Sequence, residues 1–186
     1  LALSLGAFTA VVENSGGSVS ELLNDFDWCS HPKLITLPNE VETIWAFINK
    51  NTKSMLTKTQ IEDTAKIIHE SYVKKQLAPK QDLPNLKPWN ELKDDLKNSN
   101  INQATFIHEF LLTAGFGIRK PKTESSILFE FTADEIQLLA KLEHGRWNTE
   151  RLLSGWKYGT KKDVDKKISP YLVKWDDLPK DIQQYD

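Results

Sequence analysis

The chain has 186 residues, 39% hydrophobic and 10% aromatic, enough for one medium domain or two small ones and too apolar for a disordered tail. Lys+Arg number 24 against Asp+Glu 26, a net charge of −2, which argues against a nucleic-acid or anionic-membrane binder. Cys29 is alone, which excludes a disulfide framework and a thiolate metal cage; with no apolar run near the roughly 18 residues of a membrane span and no signal peptide, a cytoplasmic setting is expected.

Ala7 to Val12 is a β-rich apolar run and predicts a buried strand. It breaks at Glu13-Asn14-Ser15-Gly16-Gly17. Ser18-Val19-Ser20-Glu21 fits a capping box, so a helix should start with Ser18 as N-cap. Leu34 to Leu37 predicts a second strand, stopped by Pro38 and Asn39, and Asn39-Glu40-Val41-Glu42 caps a helix through Ile48. Strand, glycine turn, helix, strand, helix is half of a doubly wound unit, too small to close a sheet alone. Residues 1–50 therefore read as the C-terminal part of a Rossmann-like nucleotide-binding domain, and Leu1 in place of an initiator methionine points to an excerpt of a longer chain. The turn Ser15-Gly16-Gly17-Ser18 lies where a strand feeds a helix N-terminus, a place that favours phosphate. The alternative is plain turn chemistry. Val11 to Leu22 resembles the strand–glycine–helix segment of the SLOG family of nucleotide-sensing domains, with Asn14 where that family has glycine.

Residues 51–58 form a polar linker. Thr59-Gln60-Ile61-Glu62 opens a helix that should run to about Gln76. A Pro- and Lys-rich loop follows from Leu77 to Pro88, then a short helix over Trp89–Lys97 and a longer one over Asn102–Ala114, ended by Gly115 and Gly117. Residues 118–125 read as linker, and Ile127 to Phe131 as a short strand or extended crossing. Thr132-Ala133-Asp134-Glu135 is a further capping box. The helix it starts carries His144, Trp147 and Arg151 at i, i+3 and i+7, hence on one face. Lys161, Lys162, Lys166 and Lys167 are interleaved with Asp and read as a solvated loop face.

Comparing the chain with itself aligns Gln60–Leu77 with Glu135–Leu152 at an offset of 75. Ile61, Ala65, Lys66, His69 and Leu77 recur as Ile136, Ala140, Lys141, His144 and Leu152, and Tyr72 is answered by Trp147. Pro84–Leu92 aligns with Pro170–Leu178 at an offset of 86, with Pro, Leu, Trp and Leu in place. The eleven extra residues of the second copy correspond to the turn Gly155-Trp156-Lys157-Tyr158-Gly159 and the charged loop after it. Two copies of one unit are expected, over residues 59–117 and 126–186. The second lacks a counterpart of the 102–114 helix and so reads as C-terminally incomplete, leaving an apolar face open to homo-oligomer formation.

His144-Gly145-Arg146-Trp147, the Gly155–Gly159 turn, Pro170-Tyr171-Leu172-Val173 and Trp175–Pro179 resemble the RyR domain, named for its tandem copies in ryanodine receptors and found also in bacterial and phage proteins. The first copy matches through His69-Glu70-Ser71-Tyr72, Leu86–Leu92 and Ser99–Gln103. Thr160, Ser169 and Lys174 depart from the Pro, His and Pro of that family, and the first copy lacks the Gly-Trp-x-Tyr-Gly turn. The resemblance implies a mainly helical fold with a short β-hairpin per unit and tandem copies paired about a pseudo-twofold axis. In ryanodine receptors the cleft between paired copies is associated with adenine nucleotides. The expected fold class is thus mixed: an α/β, Rossmann-like N-terminal portion followed by a mainly α domain of two RyR-type repeats with short β-hairpins.

No nucleophile elbow, P-loop or zinc-protease motif is present, so no catalytic residues are assigned. His31, His69, His108 and His144 have no metal-ligand spacing, and neither a metal nor a cofactor is expected. In a paired arrangement Tyr72 and Trp147 occupy equivalent positions and can sandwich a base, worth about 1–3 kcal/mol per stacked base. Arg151 can fork onto a phosphate and Asn100 can bond a base edge or ribose. His69, His144 and Tyr158 complete the candidate ligand-binding set. The alternative makes Tyr72 and Trp147 packing residues and Arg151 an ion-pair partner of Asp94 or Asp95. Gln76 stands where Arg151 does in the other copy, so any site is asymmetric. Trp89, Trp156, Trp175 and Tyr158 also suit core and hairpin packing. The expected function is a cytoplasmic sensor of a nucleotide or nucleotide-derived signal, suited to bacterial or phage defence, with no nucleic-acid or membrane partner. The alternatives are a ligand-free scaffold, or an accessory part of an enzyme whose active site lies upstream.

Overall fold

A computed structural model describes residues 1–76, 83–119 and 130–185. Most of the expected Ile127–Phe131 crossing, and the loop from residue 77 to residue 82, lie outside the described residues. The chain divides into two compact units, one of residues 1–51 with 140–184, the other of residues 52–139 with Tyr185.

In the first unit, β1 (Thr9–Val12) and β2 (Leu34–Leu37) pair in parallel from Thr9↔Leu34 to Val12↔Leu37, joined through α1 (Gly17–Asn24) and followed by α2 (Val41–Ile48). The order of elements is the expected one. Val11, Ile35, Leu37 and Ala46 supply buried apolar side chains. Two helix starts differ from expectation. The N-cap of α1 is Gly16, at φ 73°, and no side chain caps the helix. Glycine enters that left-handed region without a Cβ penalty, so the chain turns two residues before Ser18. The N-cap of α2 is Glu40 rather than Asn39.

The same unit contains the larger part of α5 (Ala133–Leu153), then β3 (Lys157–Tyr158), β4 (Ile168–Ser169), a 3₁₀ turn at Trp175–Asp177 and α6 (Lys180–Gln183). The expected β-hairpin is instead a short parallel pair, with Lys157 N–H donating to Lys167 O (2.8 Å) and Gly159 N–H to Ser169 O (3.3 Å). The charged loop reverses within itself through an antiparallel bridge between Asp163 and Ile168, with Lys167 at φ 54°. That extra reversal sends β4 off in the direction of β3.

In the second unit α3 (Lys58–Lys75) packs on α4 (Asp94–Thr113), with 3₁₀ turns at Pro84–Leu86 and Trp89–Glu91 between them. The capping box of α3 is Thr57 with Gln60, not Thr59 with Glu62: Thr57 Oγ1 accepts from Gln60 N (3.3 Å) and Gln60 Oε1 accepts from Thr57 N (2.9 Å). The Thr132–Glu135 box forms as expected. α4 runs unbroken where two helices were expected. No Gly or Pro interrupts residues 94–113, and Asp94 and Asp95 favour its first turn through the helix dipole. Gly115, at φ 85°, ends it in a Schellman turn, with Phe116 N–H bonded to Leu111 O (2.7 Å).

One local construction occurs in each unit. His69 Nε2–H donates to Lys87 O (2.7 Å) and its ring lies 6.0 Å from Trp89. His144 Nε2–H donates to Val173 O (2.8 Å) and its ring lies 5.8 Å from Trp175. These partners are related by the sequence offsets of 75 and 86. Leu92 and Leu178 are both buried behind the Trp-led 3₁₀ turns.

Candidate ligand-binding site

The C-terminal end of α5 gathers three of the predicted residues and one more. Gly155, at φ 83°, closes the helix in a Schellman turn, its N–H bonded to Leu152 O (3.0 Å) and the Trp156 N–H to Arg151 O (2.9 Å). That turn folds the residue after the glycine back over the last helical turn, which sets the Trp156 ring 5.2 Å from the Arg151 guanidinium. Trp147, one turn earlier, lies 5.6 Å from the same guanidinium. The cation is held between two indoles, an arrangement that attracts through the ring quadrupoles and leaves the N–H edges unused. Among the described residues Arg151 has no carboxylate partner.

Trp147 is fixed from behind by His144, whose ring stacks on it at 6.1 Å and 16°. His144 is 1% exposed, and because a carbonyl only accepts, its proton sits on Nε2. His69 is likewise buried. Burial and the carbonyl bonds make both imidazoles pins of the local fold. Around His144 lies a buried polar network. Asn148 Nδ2 donates to Val173 O (2.9 Å), Thr149 Oγ1 to Thr43 O (3.2 Å) and Thr43 Oγ1 to Glu40 Oε2 (2.9 Å), while Trp175 N–H donates to Glu40 Oε1 (2.6 Å). A Cβ on Gly145 would lie 2.5 Å from the Glu42 carbonyl carbon, so only glycine lets α2 approach α5 this closely.

Sequence reasoning missed the charge cluster one turn away. Arg146, 2% exposed, donates to both carboxylate oxygens of Glu143 (2.7 Å each) and to Glu150 Oε2 (2.9 Å). Burial alone would push the guanidinium down, but the two carboxylates outweigh it and hold its pKa above the ordinary value. The available signal was the i, i+3, i+7 spacing of opposite charges, answered by Ile68, Ser71 and Lys75 in the other copy.

Tyr72 is half-buried and its hydroxyl accepts from Asn85 Nδ2 (2.8 Å). Burial raises its pKa, against the Asn85 bond, which lowers it. Asn100 spends an amide proton on Leu96 O (2.8 Å) within α4. Tyr158 is 59% exposed on β3, directly after Trp156 and Lys157. Ser15 Oγ donates to Val12 O (2.7 Å), Gly16 caps α1, and Gly17 and Ser18 are its exposed first residues. Among the described residues, no group of three or more His, Cys, Asp or Glu is placed to hold a metal ion, and no helix is long and apolar enough to cross a membrane.

No curated protein and no solved structure matches the chain. The helix that carries Trp147 and Arg151, and everything after it to the C-terminal end, falls in a segment with a recognisable relationship: residues 122–186 match the family model of the RyR domain.

Proposed function

We propose that the chain is a nucleotide-responsive regulatory module, in which a nucleotide or nucleotide-derived signal is recognised at the end of α5. The observation that carries this reading is Arg151, poised between Trp147 and Trp156 without a carboxylate partner among the described residues. A guanidinium so placed keeps its forked donors for phosphate, and the neighbouring indoles and exposed Tyr158 offer surfaces on which a base stacks. The match of residues 122–186 to the RyR domain supports the reading, since the resemblance to that family implies adenine-nucleotide binding. The recurrence of the His–carbonyl–Trp construction supports a second RyR-type repeat around α3. Parallel β1 and β2 with the Gly16–Gly17 turn suit the tail of a Rossmann-like, SLOG-type domain, and the whole suits a cytoplasmic sensor.

The test is thermal denaturation against adenine and guanine nucleotides and cyclic dinucleotides, for the native chain and for Trp147→Ala and Arg151→Ala. At least one ligand should raise the native melting temperature, and both variants should lose that response. A panel with no stabilising member removes the reading.

A further inference from the structure

We infer that the charged loop between β3 and β4 is a phosphate subsite, and that the ligand is a nucleoside polyphosphate rather than a monophosphate; this rests on the reading of Arg151, Trp147 and Trp156 given above. The chain as a whole is slightly acidic, yet the stretch from Arg151 to Lys174 holds seven cations and two carboxylates. One of those carboxylates is occupied: Asp163 accepts from the Lys166 backbone (3.0 Å) and lies 3.4 Å from its ammonium, so it shapes the turn. Among the described residues Lys157, Lys161 and Lys162 are exposed and have no carboxylate partner.

Connectivity brings this charge to the site. Lys157 follows Trp156, whose ring centroid lies 5.2 Å from the Arg151 guanidinium. Lys167 ties the far side of the loop to the same place, its carbonyl accepting from Lys157 N (2.8 Å) and its ammonium donating to Ser154 O (2.9 Å). The Asp163–Ile168 bridge then closes the tip of the loop, and Lys161 and Lys162 lie exposed on the short arm between β3, which follows Trp156, and that bridge. A base on the aromatic surface with one phosphate at Arg151 would leave these lysines unused; further phosphates would reach them. Lysine suits that task, being a flexible point charge with three donors. The arm belongs to the eleven-residue insertion of the second copy, so it is absent around α3.

The experiment measures affinities of adenosine, AMP, ADP and ATP, and the guanine series, at two salt concentrations. Affinity should rise roughly tenfold or more from monophosphate to triphosphate, with a steeper salt dependence for the triphosphate. Lys161→Glu with Lys162→Glu should bring the triphosphate down to the monophosphate while leaving the monophosphate and the melting temperature unchanged. Equal binding of mono- and triphosphate, or a triphosphate preference that survives the double variant, overturns the subsite and leaves the nucleotide reading standing. Binding of no nucleotide at all overturns both. Inorganic triphosphate binding as tightly as ATP, and unaffected by Trp147→Ala, overturns the coupling of loop to base.

Discussion

The regions around His69 and His144 share a frame and differ in what surrounds it. Each has a capped helix, an imidazole bonded to a loop carbonyl, and a tryptophan that leads a 3₁₀ turn over a buried leucine. Around His144, three positions are changed together: Gly145, Asn148 and Thr149 stand where the other copy has Glu70, Val73 and Lys74. Those three admit α2 and bond Thr43 and Val173. Arg151 and Gly155 add the indole-flanked cation. The shared residues build the unit, and the unshared ones decide what it meets.

The comparison breaks hardest at Arg146. Arg146→Met should leave the buried Glu143 and half-buried Glu150 carboxylates without their cation and cost about 3–5 kcal/mol, read from urea denaturation. At the matching exposed Ser71, substitution by Ala should cost less than about 0.5 kcal/mol. Next comes Gly145→Ala, whose Cβ meets α2 backbone; a loss of about 3 kcal/mol is expected, while Glu70→Ala is near neutral. The shared pins should behave alike: His69→Phe removes the bond to Lys87 O and His144→Phe one of two bonds to Val173 O, which keeps Asn148 Nδ2, so each should lower stability by about 1–2 kcal/mol. A large difference between the two would show that the frames are not equivalent. Smallest in stability is Gly155→Ala, at about 1 kcal/mol for a left-handed residue. Because it unseats Trp156 from Arg151, it should also weaken nucleotide binding, checked by titration calorimetry.

Much of the frame was legible because periodicity and recurrence report on buried faces. His69, His144, Trp89 and Trp175 stood out by recurring, and the strands at residues 9–12 and 34–37 by their β-branched, apolar composition. Helix starts were less legible: Gly16 and Thr57 compete with neighbouring Ser and Thr residues, and only geometry decides which one turns. The β3–β4 direction was hidden because it depends on a reversal inside the loop at Lys167. Arg146 was hidden because Glu, Arg and Glu on a helix read as surface until something covers them. Trp147 and Arg151 were read correctly as sharing a face, but the second indole was assigned to packing, since the Schellman turn that folds it back is a backbone event.

The absence of a side chain at Gly145 also bears on where the protein can be cut. The second copy of the motif and the matched segment begin after residue 120, yet the wall against which Gly145 packs is the backbone of Glu42 and Thr43. A fragment trimmed to the motif would present a bare helix groove with Asn148 and Thr149 stripped of Thr43. Such a fragment should express poorly and clump, and adding back residues 1–51 as a separate peptide should rescue it. The compact unit that holds Gly145 is made of residues 1–51 together with residues 140–184.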